Sequence, residues 1–215
     1  MPSVHFTANF EALLQMKAYQ EFFFTYLLPL DGELDGEWGS LVEKYREKMG
    51  LYCQMLLEIL EEMGLTAQVK KVIVDSEYRV SATGSEFLLP DTFDPEMGEL
   101  RLFLSPESFE HPGAIRHELG HLQDRLSPGF DYKRLQQLSS TALNEVWNVF
   151  IDRRLEREKT PGLAKEERWH YFSLTFPRMP SSQRREYFET LWSSTSYTHG
   201  DVILHGDALK GYAQL

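Results

Sequence analysis

The chain has 215 residues, 42% of them hydrophobic and 13% aromatic, which suffices for a substantial core and argues against intrinsic disorder. Its net charge of -11 repels nucleic-acid phosphates, so we expect no nucleic-acid partner. The single cysteine, Cys53, excludes an internal disulfide, and the N-terminus lacks the basic start and apolar stretch of a signal peptide. We therefore expect a cytoplasmic protein without membrane association, and the oligomeric state stays open.

The N-terminal part of the sequence predicts helices. Apolar residues surround most of a helix over residues 10–28, and Pro29 and Gly32 should end it. A second helix is predicted over residues 37–63, where apolar residues recur every three or four positions and Gly64 follows. We treat residues 1–66 as a helical region packed on the rest of one compact domain.

A small sheet is predicted next, followed by more helices. β-branched, aromatic and leucine residues favour strands, and proline and glycine punctuate the helices that follow Pro112. This order predicts an α+β fold, with a catalytic region over residues 67–215. The predicted strands cover 69–74, 78–83, 87–89 and 100–104, with a loop over 90–98, and the predicted helices cover 114–126, part of 131–157, 164–174 and 182–192.

The most informative run is His117-Glu118-Leu119-Gly120-His121, which lies on a predicted helix. Residues four apart share one helix face, so the two imidazoles can hold a single zinc ion. Glu118 projects beside them, where its carboxylate can take a proton from water at the metal. The alternative is a polar helix surface that happens to carry two histidines. We predict a zinc site, because the motif is specific and a helix is predicted where it needs one.

Catalytic zinc normally takes three protein ligands, so a third must come from elsewhere. Downstream, Glu145, Asn148 and Asp152 share one face of an otherwise apolar helix. If this polar stripe faces inward it buries charge that needs a partner, which a metal would supply; a stripe that faces water is the alternative.

The two acidic residues of the stripe compete for the role of ligand. Glu145 and Asp152 lie about 10 Å apart along the helix axis, too far for both to bind one zinc easily. We predict Glu145 as the ligand, with Asp152 or Asn148 bracing a histidine, and Asp152 as the ligand is the alternative. Asp124 is a further candidate, for which a role as a hydrogen-bond acceptor behind the site or as a surface charge is favoured.

The motif with Glu145 downstream resembles the gluzincin metallopeptidases, the thermolysin-like group, over about residues 115–152. The resemblance implies that His117, His121 and Glu145 bind zinc and that Glu118 is the general base. It also implies a zincin-like α+β fold, with a small and mostly antiparallel sheet, an active-site helix and a mainly helical remainder. In that fold a strand before the active-site helix pairs with extended substrate, and residues 100–104 occupy its place.

One departure from the thermolysin-like pattern concerns the third ligand. That group has an aspartate four residues after its ligand glutamate, and here the position is Val149. The run Trp147-Asn148 with Asp152 downstream is instead similar to a set of less-studied bacterial metallopeptidases. Both Glu145 and Asp152 therefore stay candidates.

We predict an enzyme that hydrolyses a peptide or protein substrate with one zinc ion. One alternative is a zinc-binding regulatory or interaction module of the same fold without peptidase activity. Another is a helical interaction protein whose histidines are incidental. A peptidase also needs a donor for the oxyanion, and the sequence does not choose among Tyr132, His170, Tyr171, Tyr197 and His199.

Overall fold

The computed structural model describes residues 1–7, 11, 35–75, 93–104, 106–138, 140–160 and 162–213. These residues group into two compact units, Met1–Glu110 and His111–Leu215. The boundary predicted between residues 66 and 67 therefore falls inside the first unit. The predicted helix over 10–28 and the predicted strands over 78–83 and 87–89 lie outside the described residues. None of the described helices is both long enough and apolar enough to cross a membrane.

The first unit combines a long helix with a small sheet. The helix predicted over 37–63 and the strands predicted over 69–74 and 100–104 are confirmed to within a few residues. The two short strands, Ser3–Phe6 and Phe93–Asp94, were not predicted. Four and two residues are too few to show the alternation of apolar and polar residues that marks a strand. The elements are β1 (Ser3–Phe6), α1 (Asp35–Glu62), β2 (Lys71–Asp75), β3 (Phe93–Asp94), β4 (Glu99–Phe103) and a 3-10 helix (Pro106–Glu110).

The sheet has the strand order β1-β2-β4-β3, and most of its pairing is parallel. β1 runs parallel to β2, and β2 runs parallel to β4, so that buried Val72 and Val74 lie beside buried Leu100 and Leu102. Among the described strands, only β3 and β4 pair antiparallel. The pairing of the described strands is thus mostly parallel, unlike the mostly antiparallel sheet that was predicted, and two strands predicted for that sheet lie outside the described residues. Long connections separate β1 from β2 and β2 from β4, and such crossovers allow parallel pairing where a tight hairpin cannot.

A tight turn places β3 beside β4. The Asp94 side chain accepts hydrogen bonds from the backbone N–H groups of Glu96 and Met97 at 2.9 and 3.1 Å. Gly98 then adopts a left-handed conformation with φ of 63°, which glycine tolerates without strain. Consequently Glu99 and Leu100 pair with β2 on one side and with β3 on the other. Within the predicted strand 100–104, Leu100 is therefore paired on both sides and offers no free edge to a substrate.

The second unit is helical in its described residues. The predicted helices are confirmed to within a few residues, except that the region 131–157 forms two helices and that α7 was not predicted. The side chain of Ser140 caps the second of the two by accepting from the backbone N–H of Leu143 at 3.2 Å. The helices are α2 (Pro112–Leu126), α3 (Tyr132–Gln137), α4 (Thr141–Arg157), α5 (Lys165–Thr175), α6 (Ser181–Ser193) and α7 (His199–Leu209).

The helix α4 lies at the centre of the second unit. It contacts α2, α5, α6 and α7, and its buried residues surround the whole helix. A helix with buried residues on every side is surrounded by other elements of the core. The mixed α+β content, mainly helical, is thus confirmed. The central helix also carries the polar stripe that was predicted to face the histidines.

We predict that Gly206→Ala lowers the free energy of unfolding by about 1–2 kcal/mol, since overpacking outweighs the better helix propensity of alanine. A Cβ at Gly206 of α7 would lie 2.9 Å from the Leu143 Cα of α4, and a backbone atom cannot easily move away. Gly200→Ala in the same helix is the control, because the nearest atom there is Thr198 Oγ1 at 3.4 Å. Urea denaturation followed by circular dichroism measures both variants. Equal stabilities of the two would contradict the tight packing of α7 on α4.

Candidate metal centre

The two helices that carry the predicted site pack closely at Gly120. A Cβ on Gly120 would lie 2.6 Å from Cγ2 of Ile151, so only a glycine lets α2 approach α4 to this distance. The two histidines of the motif flank this glycine in the sequence. Because Gly120 has no side chain, the helices lie close enough for His117 and His121 to reach the polar stripe of α4.

The side chains of His117 and His121 converge on Asn148. The Nε2 atoms of the two rings lie 3.3 and 3.1 Å from Asn148 Oδ1. The ring centroids are 5.1 Å apart and the rings are nearly perpendicular, at 81°. Burial raises the pKa of the Glu145 carboxyl group, while the Asn148 amide on the same helix acts to lower it. The structure thus brings both predicted histidines to one point, and it places an amide oxygen at that point.

The second ring nitrogen of His117 faces Asp152. The Nδ1 atom lies 2.7 Å from Oδ1 of this fully buried carboxylate, which also accepts from the backbone N–H of Leu163 at 3.1 Å. The predicted contact between Asp152 and a histidine is therefore present. A proton held on Nδ1 by the carboxylate directs Nε2 toward Asn148, the arrangement typical of metal-binding histidines. That Asp152 supports a metal ligand stays a prediction.

Arg168 completes the site and was missed by the sequence reasoning. It is buried in α5, where Nε donates to Asp152 Oδ2 at 2.6 Å and Nη1 lies 3.5 Å from Glu145 Oε1. The spacing of four between Arg168, Phe172 and Phe176, all buried, is the signal that could have placed the arginine on the inner face of its helix.

The polar stripe of α4 faces inward, as predicted. Glu145 is 6% exposed and Asp152 is 0% exposed. Its charge, however, has a protein partner in Arg168. A metal is therefore not the only source of positive charge for the stripe, although one guanidinium serves two carboxylates.

The donors at this site fit a metal ion in part. Within the described ranges, no three His, Cys, Asp or Glu side chains form a group that could hold a metal ion. The two converging imidazole nitrogens nevertheless suit zinc, and Glu145 Oε1 is a buried oxygen that makes no hydrogen bond. These features fit a divalent cation bound through the histidines. Glu145 as the third ligand stays a prediction.

Burial and neighbouring charges shift the pKa values of the two histidines in opposite directions. Burial opposes a charge on His117, but the carboxylate of Asp152 outweighs it and raises the pKa of this ring. For His121, burial and the charge of His117 lower the pKa well below its usual value. His121 therefore stays neutral at pH 7, the form in which an imidazole nitrogen binds a metal.

Glu118 follows His117 on α2 and is 8% exposed. Burial raises the pKa of its carboxyl group to about 7, although the charges of His117 and Arg168 act in the opposite direction. A carboxylate whose pKa lies near the working pH is suited to accept and return a proton. This property agrees with the predicted role of Glu118 as a general base.

Asp124 is a buried acceptor behind His121. Its Oδ2 accepts from Trp147 Nε1 at 2.7 Å and from the Tyr197 hydroxyl at 2.5 Å, and its Oδ1 accepts from Arg154. The ring of Trp147 packs against His121 at right angles, with centroids 4.3 Å apart. Both oxygens of Asp124 are thus engaged by protein donors. The alternative of a simple surface charge is wrong.

The candidates for an oxyanion donor differ in their surroundings. The Tyr197 hydroxyl is committed to Asp124. His170 and Tyr171 are exposed on α5, and Nδ1 of His199 is buried without a hydrogen bond. Tyr132 packs near Trp147, with centroids 6.1 Å apart. These contacts assign none of the five to an oxyanion.

Comparison with known proteins adds no identification. No family model matches the chain, and no curated protein or solved structure matches it. The resemblance to gluzincins therefore rests on the motif residues alone.

We predict that Arg168→Met lowers the free energy of unfolding by about 3–5 kcal/mol, because two buried carboxylates lose their cationic partner. Arg185→Met is the control, since this guanidinium pairs with Glu166 and Glu189 at the surface and its loss should change stability little. Chemical denaturation at pH 7 measures both. If the two variants are equally stable, the network around Asp152 does not depend on Arg168.

Proposed function

We propose that the protein is a zinc-dependent hydrolase of peptide bonds. The observation that supports this most strongly is the convergence of His117 Nε2 and His121 Nε2 on one point, while Asp152 holds the other nitrogen of His117. A carboxylate behind a histidine fixes the ring and makes its free nitrogen a better metal ligand. Zinc, when bound, supplies a Lewis acid that polarises a carbonyl and lowers the pKa of water to about 7.

The residues of the chain divide the remaining work. His117 and His121 hold the metal, and the buried carboxylate of Glu118 takes a proton from the attacking water. The same carboxyl group can then return the proton to the leaving amine, so no other acid is required. Asp152 and Arg168 keep His117 in place throughout, because both are buried and bonded to each other.

The substrate we propose is a peptide or protein, because Glu118 and a metal together are suited to attack on a carbonyl. The net charge of -11 disfavours a nucleic acid as the partner. The cytoplasm is our proposed location, since a chain with one cysteine suits a reducing compartment.

A zinc-binding module without hydrolytic activity is the second candidate. The observation that favours it is that the hydroxyl of Tyr197, one candidate oxyanion donor, donates its hydrogen bond to Asp124 instead. Such a module would bind zinc as tightly but would leave peptides intact. Assay of the zinc-loaded protein against a broad peptide library separates the two.

We predict about one zinc ion per chain, bound by the two histidines. Elemental analysis of full-length chain purified without a metal-affinity tag measures the content. His117→Ala and His121→Ala should each abolish binding, whereas His170→Ala should not, because His170 is exposed on α5 away from the polar stripe. Wild-type chain that holds no metal and takes up none from added zinc would refute the proposal.

We further predict that Glu118→Gln retains zinc and stability but slows peptide hydrolysis by at least about 100-fold, the usual loss when a general base is removed. The glutamine keeps the size of the side chain and removes only its ability to accept the proton. Zinc content and thermal unfolding of the variant are the controls. Full activity in this variant would show that the water is activated by another group.

A further inference from the structure

We infer that the third donor to the metal is the side-chain oxygen of Asn148, and that Glu145 and Asp152 support the donors from behind. This assignment rests on the proposed zinc site and goes beyond it, because it replaces the expected carboxylate ligand with a neutral amide. It is supported by three features of the site: the spacing of the donor atoms, the orientation of the amide and the position of Arg168.

The spacing of the three atoms suits a shared cation. Donors about 2.0–2.1 Å from a tetrahedral zinc lie roughly 3.3–3.4 Å from one another. Asn148 Oδ1 lies 3.3 Å from His117 Nε2 and 3.1 Å from His121 Nε2. The amide oxygen thus lies from each of the two imidazole nitrogens at close to the separation that a shared metal would impose. A cation held among them would engage the lone pairs of all three at once.

The amide of Asn148 is oriented with its oxygen toward the two histidines, since Oδ1 lies within 3.3 Å of both Nε2 atoms. Its NH₂ group therefore points to the other side of the amide. A carboxylate only accepts hydrogen bonds, and Glu145, about one turn earlier on α4, is a suitable acceptor for this group. Asp152 positions His117 by a hydrogen bond, and we assign to Glu145 the corresponding positioning role for Asn148.

The position of Arg168 argues against a carboxylate ligand. Its Nη1 atom lies 3.5 Å from Glu145 Oε1, and its Nε atom donates to Asp152 Oδ2 at 2.6 Å. A guanidinium beside Glu145 repels a divalent cation from this oxygen and supplies the carboxylate with its own counter-charge. The amide of Asn148 is neutral, so it needs no counter-charge and its oxygen stays available to a metal ion.

The proposed donor set has a chemical consequence. Two neutral imidazoles and one amide carry no net charge, so these three donors would not offset the double positive charge of a bound metal. Imidazole nitrogens favour zinc, and carbonyl oxygens favour harder ions such as manganese. A site of this kind therefore suits zinc and also admits manganese.

The test measures zinc affinity by competition with a chelator in the tag-free full chain. Asn148→Ala should weaken zinc binding by more than about 100-fold, beyond the 10–100-fold typical of residues behind a ligand. Glu145→Gln should weaken it less, because a glutamine oxygen can still accept from the Asn148 amide. Asn144→Ala, one turn earlier on α4, is the matched control and should bind zinc like the wild type.

Asn148→Asp keeps an oxygen at the same place and should bind zinc at least as well as the wild type. This second variant keeps the assignment testable if Asn148→Ala does not fold. Circular dichroism checks the fold of each variant. A greater loss in Glu145→Gln than in Asn148→Ala, or wild-type affinity in Asn148→Ala, would overturn this assignment and leave the zinc site standing. If the wild type binds no zinc, the proposed function and this assignment both fail.

Discussion

The fully buried carboxylate of Asp152 is the point at which three helices of the second unit meet. It belongs to α4, accepts from His117 of α2 and from Arg168 of α5, and also accepts from the backbone N–H of Leu163. An ionised carboxylate without partners would be very costly to bury, so each of these contacts is needed. Burial alone would raise the pKa of Asp152, but His117 and Arg168 hold it below its usual range, and the group stays charged.

This one carboxylate links stability to the proposed chemistry. The hydrogen bond that helps to fix α2 on α4 is the same bond that orients His117 and directs its Nε2 atom toward Asn148. The ion pair that neutralises Asp152 also brings Arg168 close to Glu145. A change in the packing of α5 would therefore alter the position of His117, although no residue of α5 is proposed to bind the metal.

Part of this arrangement could be predicted from the sequence. The helix around His117 and His121, the inward face of Glu145 and Asp152, and the contact between Asp152 and a histidine all follow from helical periodicity. These are relations within one helix or between two helices with clear apolar faces. The helix α7 also had a local signal, since Thr198 and Asp201 form a capping box.

The remainder depends on contacts between distant residues. The parallel pairing of β2 with β4 is set by how the connections return, which no local pattern reveals. The spacing of Arg168 from Phe172 and Phe176 could place it on an inward face, but nothing in the sequence shows which carboxylates it meets there. For this reason the charge of the stripe was assigned to a metal, when the chain itself supplies an arginine. The direction of the Asn148 amide was equally hidden, because it depends on its neighbours in space.

The central claim is that His117 and His121 bind a metal ion at the point where their side chains converge. A crystal structure of the full-length chain grown with zinc, with diffraction data collected on both sides of the zinc absorption edge, tests this most directly. The account predicts a single strong anomalous peak between the two Nε2 atoms, with Arg168 still paired to Asp152. Unliganded histidines that keep their hydrogen bonds to Asn148 at saturating zinc would contradict it.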